Sequence, residues 1–269
     1  RLMQEDPTLR AARNVETKEF IVSGMGDVHI STAQQRLKNK FNVDVELRLP
    51  TVPYKETIKS SAEGHERHKK QTGGRGQYAE VYLKLEPAER GAGFEFVDDI
   101  VGGAIPKGFL PAIEKGVRGS MAQGVVAGFP VVDLRVRCYD GTFHDVDSSN
   151  MAFELAGSKA FKDGMAKARP ILLEPIYVLE VTVPADYMGA ITGDLNSRRG
   201  RIMGMEQMGE LQKIKAQVPL SEMLSYCTQL RSLTGGRGTF EMEFSSYEEV
   251  PAALVQRVVA QQQAKKEEK

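Results

Sequence analysis

The sequence has 269 residues, with 36 Lys plus Arg against 36 Asp plus Glu, a formal net charge of +0, and two cysteines. That length is enough for two or three domains with cores of their own, and the balanced charge excludes nucleic-acid binding through overall basicity, so any basic signal has to be local. No apolar run reaches the ~18 residues of a membrane span, the charged opening Arg1 to Arg13 is no secretory signal, and Cys138 and Cys227, at apolar positions far apart, read as buried free thiols of a reducing, cytoplasmic compartment.

Residues 1 to 5 read as the last turn of a helix closed by Asp6-Pro7, and the absence of an initiating Met suggests a piece of something longer. Glu19 to Ser23 is a short strand. Gly24-Met25-Gly26-Asp27 opens a helix with Ile30, Ala33, Leu37 and Phe41 on one face, ended by Asn42, and Val43 to Leu49 alternates as a second strand. Pro50 and Pro53 mark a boundary, so residues 1–50 form a first domain.

The second domain is residues 51–170. Tyr54 to Ser60 is a strand, Ser61 to Gly76 a polar stretch, and Gln77 to Leu85 a cleanly alternating strand. Pro111 to Gln123 is a helix with Ile113, Val117 and Met121 on one face, a neighbouring side of small residues (Ala112, Gly116, Ser120), and Gly124 as its stop. Val131 to Tyr139 is a half-buried strand with Val132, Leu134, Val136 and Cys138 inward, followed by a turn at Asp140-Gly141. From Ser148 or Ser149, either a good N-cap, a helix runs to about Ala168, and Ala152, Ala156, Ala160 and Gly164 give it a small stripe that lets it lie close on a sheet. Leu172 to Pro175 is a linker. Residues 171–250 then read as strand (Ile176 to Val183), helix (Tyr187 to Ser197), strand (Arg201 to Met208), strand (Gln212 to Val218), helix (Ser221 to Leu233) and strand (Thr239 to Tyr247), the βαββαβ order of a ferredoxin-like domain. Residues 251–269 are a helix and a Gln/Lys/Glu tail. The helix-strand end of the first domain echoes that of the third.

The stretch Gly141 to Ser149 holds a His, two Asp and two Ser between a strand and a long helix. A catalytic cluster there needs converging partners and an oxyanion cradle that the neighbouring sequence does not supply. Two other readings stand: a solvated loop that caps a helix, and a contact tip in which His144 offers an aromatic face and hydrogen-bonding edges to RNA. A second signal is Lys69-Lys70-Gln71-Thr72-Gly73-Gly74-Arg75-Gly76-Gln77, where glycines beside cations let phosphate approach the backbone. Thr234-Gly235-Gly236-Arg237-Gly238 repeats its core where a glycine simply ends a helix, so the pentapeptide alone does not mean RNA. His65 and His68 have a metal-like spacing without further ligands nearby and read as solvated. Ser197-Arg198-Arg199-Gly200-Arg201 is a basic turn, either solvated or in contact with phosphate. No G-x-x-x-x-G-K-S/T occurs, so the sequence carries no P-loop.

Several stretches in this order are familiar together: Gln4-Glu5-Asp6-Pro7, Ser23 to His29, Gln71 to Tyr78, Gly128 to Asp133, His144 to Ser149, Gly193 to Gly200, and Pro219 to Met223. By them the chain resembles, from end to end, the C-terminal half of bacterial-type translation elongation factor G, its third, fourth and fifth domains. The resemblance implies an α+β fold. Two ferredoxin-like domains, the first lacking its opening strand and most of its first helix, would flank a domain like domain 2 of ribosomal protein S5, with a left-handed βαβ crossover.

It also implies a monomeric translation factor that moves tRNA and mRNA on the ribosome. The fourth domain's tip would enter the small-subunit decoding region through Gln71, Thr72, Gly73, Gly74, Arg75, Gly76 and Gln77 and through Gly141, Thr142, Phe143, His144 and Asp145. Lys69 and Lys70 would support that tip, and Arg198, Arg199 and Arg201 would meet large-subunit RNA near the stalk. GTP and Mg would belong to an N-terminal domain that these residues do not include; none of these residues would be catalytic or hold a metal or cofactor. Thr142-Phe143 stands where the family has Ser-Tyr, and Asn150 where it has an acid. That departure leans toward a paralogue acting in ribosome recycling or protection, and a GTPase-independent RNA-binding module is a further alternative.

Overall fold

The computed structural model describes residues 2–14, 16–71 and 76–267. In chain order the elements are α1 (Leu2–Glu5), β1 (Arg10–Arg13), β2 (Phe20–Ser23), α2 (Asp27–Phe41), β3 (Lys55–Ile58), β4 (Ala62–Lys70), β5 (Gln77–Pro87), β6 (Phe94–Asp98), α3 (Leu110–Gln123), β7 (Leu134–Thr142), α4 (Asn150–Lys167), β8 (Pro170–Pro184), α5 (Met188–Ser197), β9 (Arg201–Met208), β10 (Leu211–Pro219), α6 (Tyr226–Thr234), β11 (Thr239–Glu249) and α7 (Ala252–Glu267). They fall into two compact units: Arg1–Pro53 with Glu174–Glu248, and Tyr54–Leu173 with Glu249–Lys269.

In the first unit the strands lie in the order β11-β8-β10-β9, with β10 antiparallel to both neighbours. Leu179, Val181 and Val183 from β8 meet Ile191 and Leu195 from α5 and Tyr226 and Leu230 from α6, all removed from water. This is the ferredoxin-like arrangement that the element order implies. Gly235 closes α6 with φ 58, so the second Gly-Gly-Arg-Gly run is a helix stop.

In the same unit β1 pairs with β2, and α2 ends at Asn42 in the left-handed region, φ 53. Val43 to Leu49 is not the expected strand. Its backbone is tied to α2 instead, Val43 N–H donating to Leu37 O (3.2 Å) and Gln34 Nε2 to Val45 O (2.7 Å), and alternation cannot make a strand without a ladder partner. A cavity of about 580 Å³ lined by Leu9, Phe20, Ile30, Leu37, Phe41 and Val45 lies against it.

The second unit is built on a sheet of order β4-β5-β7-β6. β4, β5 and β7 are antiparallel, while β6 runs parallel to β7 and reaches it through the α3 crossover. Ala79, Val81, Leu83 and Leu85 of β5 and Leu134, Val136 and Cys138 of β7 face α3 and α4. The small stripe of α4 sits against Gly64 of β4: a Cβ there would stand 2.0 Å from Ala160 O, so only glycine permits this approach. Burial pushes the Cys138 thiol up to about 12, an inert buried thiol as expected, whereas Cys227 is half-exposed rather than buried.

Glu56 on β3 is fully buried and organises the segment between α3 and β7. Its Oε2 accepts from the N–H groups of Val125 (2.7 Å) and Val126 (2.9 Å), and its Oε1 from those of Ala127 (2.8 Å), Gly128 (2.9 Å) and Phe129 (3.1 Å). The Ala127 and Phe129 side chains so placed pack with Leu172, Val250 and Val258, the last on α7.

Three further expectations need correction. The polar stretch Ser61 to Gly76 contains β4, whose sequence hides its strand because only Ala62 is apolar on the inward face, followed there by Gly64, Glu66 and His68. The linker Leu172 to Pro175 lies inside β8, where Lys55 to Ile58 pair with Leu173 to Pro170. Asp140-Gly141 is no turn: a bulge shifts the register so that Asp140 faces Tyr82 and Gly141 faces Val81, and β7 continues to Thr142. Gly141 is demanded by close packing, since a Cβ would meet Glu80 O at 2.3 Å.

Candidate nucleic-acid interface

The last pair of the β4–β5 hairpin is Lys70 opposite Gln77, and β7 ends one strand over with Thr142 opposite Glu80. The two connections singled out in the sequence, 71–76 and 143–149, therefore leave the same end of the sheet. Thr72, Gly73, Gly74 and Arg75 lie outside the described residues; Gln71, Gly76 and Gln77, which flank them, are described.

The two loops are stitched together. The Gly76 N–H donates to Asp147 Oδ1 (3.0 Å), and the Tyr78 N–H to Asp147 O (3.0 Å). Ser148 Oγ donates to Tyr78 O (2.8 Å) while accepting from the His144 N–H (2.9 Å). Asp147 and Ser148 thus join loops, and the helix cap falls to Ser149, whose Oγ accepts from the Ala152 N–H (3.2 Å). His144 Nδ1 faces the N–H groups of Val146 and Asp147, both at 3.3 Å. In the neutral ring that arrangement puts the proton on Nε2. The imidazole is 56% exposed, and Thr142, Phe143 and Asp145 are exposed beside it, while Gly141 is buried. Lys69, Lys70 and Gln71 are exposed on the adjoining hairpin, and among the described residues neither lysine has a carboxylate within ion-pair distance.

Behind the loops Glu80 collects polar groups on the sheet face away from the helices. Its Oε2 accepts from Thr142 Oγ1 (2.8 Å) and the Tyr78 hydroxyl (3.3 Å), and its Oε1 lies 3.0 Å from His65 Nε2. Burial pushes the Glu80 carboxyl up, but the bonds from Thr142, His65 and Tyr78 and the positive field of Arg67 outweigh it and hold the group below the ordinary glutamate value. The sequence reading passed over Glu80; its only signal was an acid on the outer face of an alternating strand.

The remaining candidates separate. His65 and His68, three apart on one strand, face opposite sides, His68 meeting Gln77 Oε1 at 2.9 Å, so they cannot share a metal. Among the described residues no three His, Cys, Asp or Glu side chains converge on a metal-sized site. In the other unit Arg198 donates to Asp194 Oδ2 (2.8 Å) and Glu222 O (2.7 Å). Arg199 forms a bidentate pair with Glu174 (2.6 and 3.0 Å) and also reaches Glu222 (3.2 Å), while exposed Arg201 bonds Gln217. The basic turn is thus largely satisfied from within.

The fold and site define a multidomain α+β protein that presents a braced, two-loop polar tip. Family models match in series: "Elongation Factor G, domain III" over residues 1–49, "Elongation factor G, domain IV" over 50–169 and "Elongation factor G C-terminus" over 171–258. The chain is 52% identical over 264 residues to an elongation factor G of Aquifex pyrophilus, covering 98% of this chain and 38% of that protein. A crystal structure of a Thermus thermophilus protein matches with TM-score 0.84 and 48% identity, covering 98% of this chain and 39% of that one. The chain belongs to the elongation factor G family and comprises its third, fourth and C-terminal domains. It spans less than two-fifths of the Aquifex relative's length.

Proposed function

We propose that these domains serve a ribosomal translocase, with residues 51–170 as the part inserted at the decoding region to move tRNA and mRNA. The observation that carries this is the pair of joined loops at one sheet end, where His144, Lys69 and Lys70 are all exposed. A brace of this kind suits a probe that displaces RNA sterically, because the loops cannot separate without breaking backbone hydrogen bonds. The RNA contacts run through Gln71 to Gln77 and Thr142 to Asp145, with Gly141 setting the loop's exit. In the C-terminal domain the contact to large-subunit RNA runs through Arg201, with Arg198 and Arg199 holding the turn. On this reading GTP and Mg are bound outside these residues, which hold no P-loop, and the protein works in the cytoplasm.

Reversing charge at Lys69, Lys70 and Arg75 together tests the basic side of the tip. RNA affinity is expected to fall, and the slope of log Kobs against log salt to flatten by roughly 0.7 for each phosphate the tip no longer neutralises. An unchanged slope removes the basic loop from the interface.

A further inference from the structure

The side chains of Arg67 and Tyr78 take no part in joining the loops, which Tyr78 does through its backbone. Both project from the sheet face away from the helices, where Lys69 pairs across from Tyr78 and Arg67 across from Glu80. The Arg67 guanidinium lies over the Tyr78 ring, 5.6 Å from its centroid, and the Tyr78 ring is 6.4 Å from that of His144. Tyr78 is fixed at its far end: its hydroxyl meets Thr142 Oγ1 (2.7 Å) and Glu80 Oε2 (3.3 Å). The guanidinium thus covers one side of the phenol, and the imidazole stands next to the phenol at 60° to it, so the three groups are neighbours between the sheet and the exposed tip. Among the described residues no carboxylate lies within ion-pair distance of Arg67, although Glu80 stands opposite it, and exposed Lys69 sits across from Tyr78.

A guanidinium held against an aromatic ring is a planar platform of the kind unpaired bases stack on, and a neighbouring lysine supplies the phosphate contact. We propose that Arg67 and Tyr78 form a stacking site for one unpaired RNA nucleotide, continuing the tip interface onto the sheet, with Lys69 at its phosphate. The site rests on the functional reading above and deepens it. Glu80 is its positioning residue: it does not touch RNA but orients Tyr78 and Thr142 through their hydroxyls. The Glu80 carboxylate is largely covered by those groups and by His65, so its charge is shielded from the incoming phosphate.

The test is binding of this 269-residue chain to a fluorescent single-stranded RNA and to an abasic strand of the same backbone. Base stacking is worth a five- to hundredfold change in affinity, to order of magnitude. Arg67→Lys, which keeps the charge but loses the plane, and Tyr78→Ala are each expected to weaken the base-bearing RNA at least ~5-fold more than the abasic one. Tyr78→Phe keeps the ring, loses its tie to Glu80 and guards against a folding artefact; it is expected to lose less of the base-dependent binding than Tyr78→Ala. If Arg67→Lys and Tyr78→Ala bind both RNAs like the parent while His144→Ala and the lysine reversals weaken binding, the stacking site is wrong and the tip reading survives. If none of these variants changes binding, both are wrong.

Discussion

Glu56→Ala is expected to destabilise the second unit by ~3–5 kcal/mol, because five backbone N–H groups lose the carboxylate they share and remain enclosed. Glu56→Gln recovers little: the amide has one acceptor oxygen, and its NH₂ would confront N–H donors that now meet the second carboxylate oxygen. The loss should appear as a lowered urea midpoint for this unit and as new protease cleavage within 125–129, with α7 loosened because Ala127 and Phe129 form part of the surface it packs on. Wild-type stability for Glu56→Ala would mean that the segment is held by its apolar packing alone.

Arg199→Met is the second large effect, also on stability. Glu174 is 3% exposed and takes both oxygens' bonds from this guanidinium, so removing the cation leaves a buried carboxylate without its bidentate partner. Breaking such a pair from one side costs about 3–5 kcal/mol, while replacing both partners with apolar residues of similar size is far milder. Equilibrium unfolding of Arg199→Met and of Glu174→Met/Arg199→Met separates the cases. A single variant as stable as the parent would free Arg199 for an external partner.

These two carboxylates mark where the sequence was hard to read. An acid inside a strand looks like a residue turned to solvent, and nothing local to Glu56 announces that a loop some seventy residues later will close on it. Strand β4 was hidden for a related reason, since its inward face meets a helix through Gly64 and offers no apolar alternation. What was legible followed from local periodicity. The βαββαβ order of the first unit's second half, the face of α3 and the small stripe of α4 could all be read from spacing alone. The tip was legible in part: His144 could be placed on a loop after a strand, but the joining of that loop to Gly76 and Tyr78 depends on pairing across the sheet. The role proposed for the tip came only with the family resemblance.

The fold gives that role a physical form. Strand pairing brings two loops to one end, Asp147 and Ser148 lock them together, and α4 begins directly behind with its own cap at Ser149. Contact through such an element works by placement, which predicts a separation between the movement of RNA and the chemistry of a distant nucleotide site.

The most direct measurement is His144→Ala in the full-length protein, with tRNA–mRNA movement and ribosome-stimulated GTP hydrolysis followed side by side in a purified translation system. Movement is expected to slow by roughly tenfold or more, which corresponds to about 1.4 kcal/mol less stabilisation at the barrier, with hydrolysis nearly unchanged. Equal loss of both, or no loss of either, would contradict a tip that acts by touching ribosome-bound RNA.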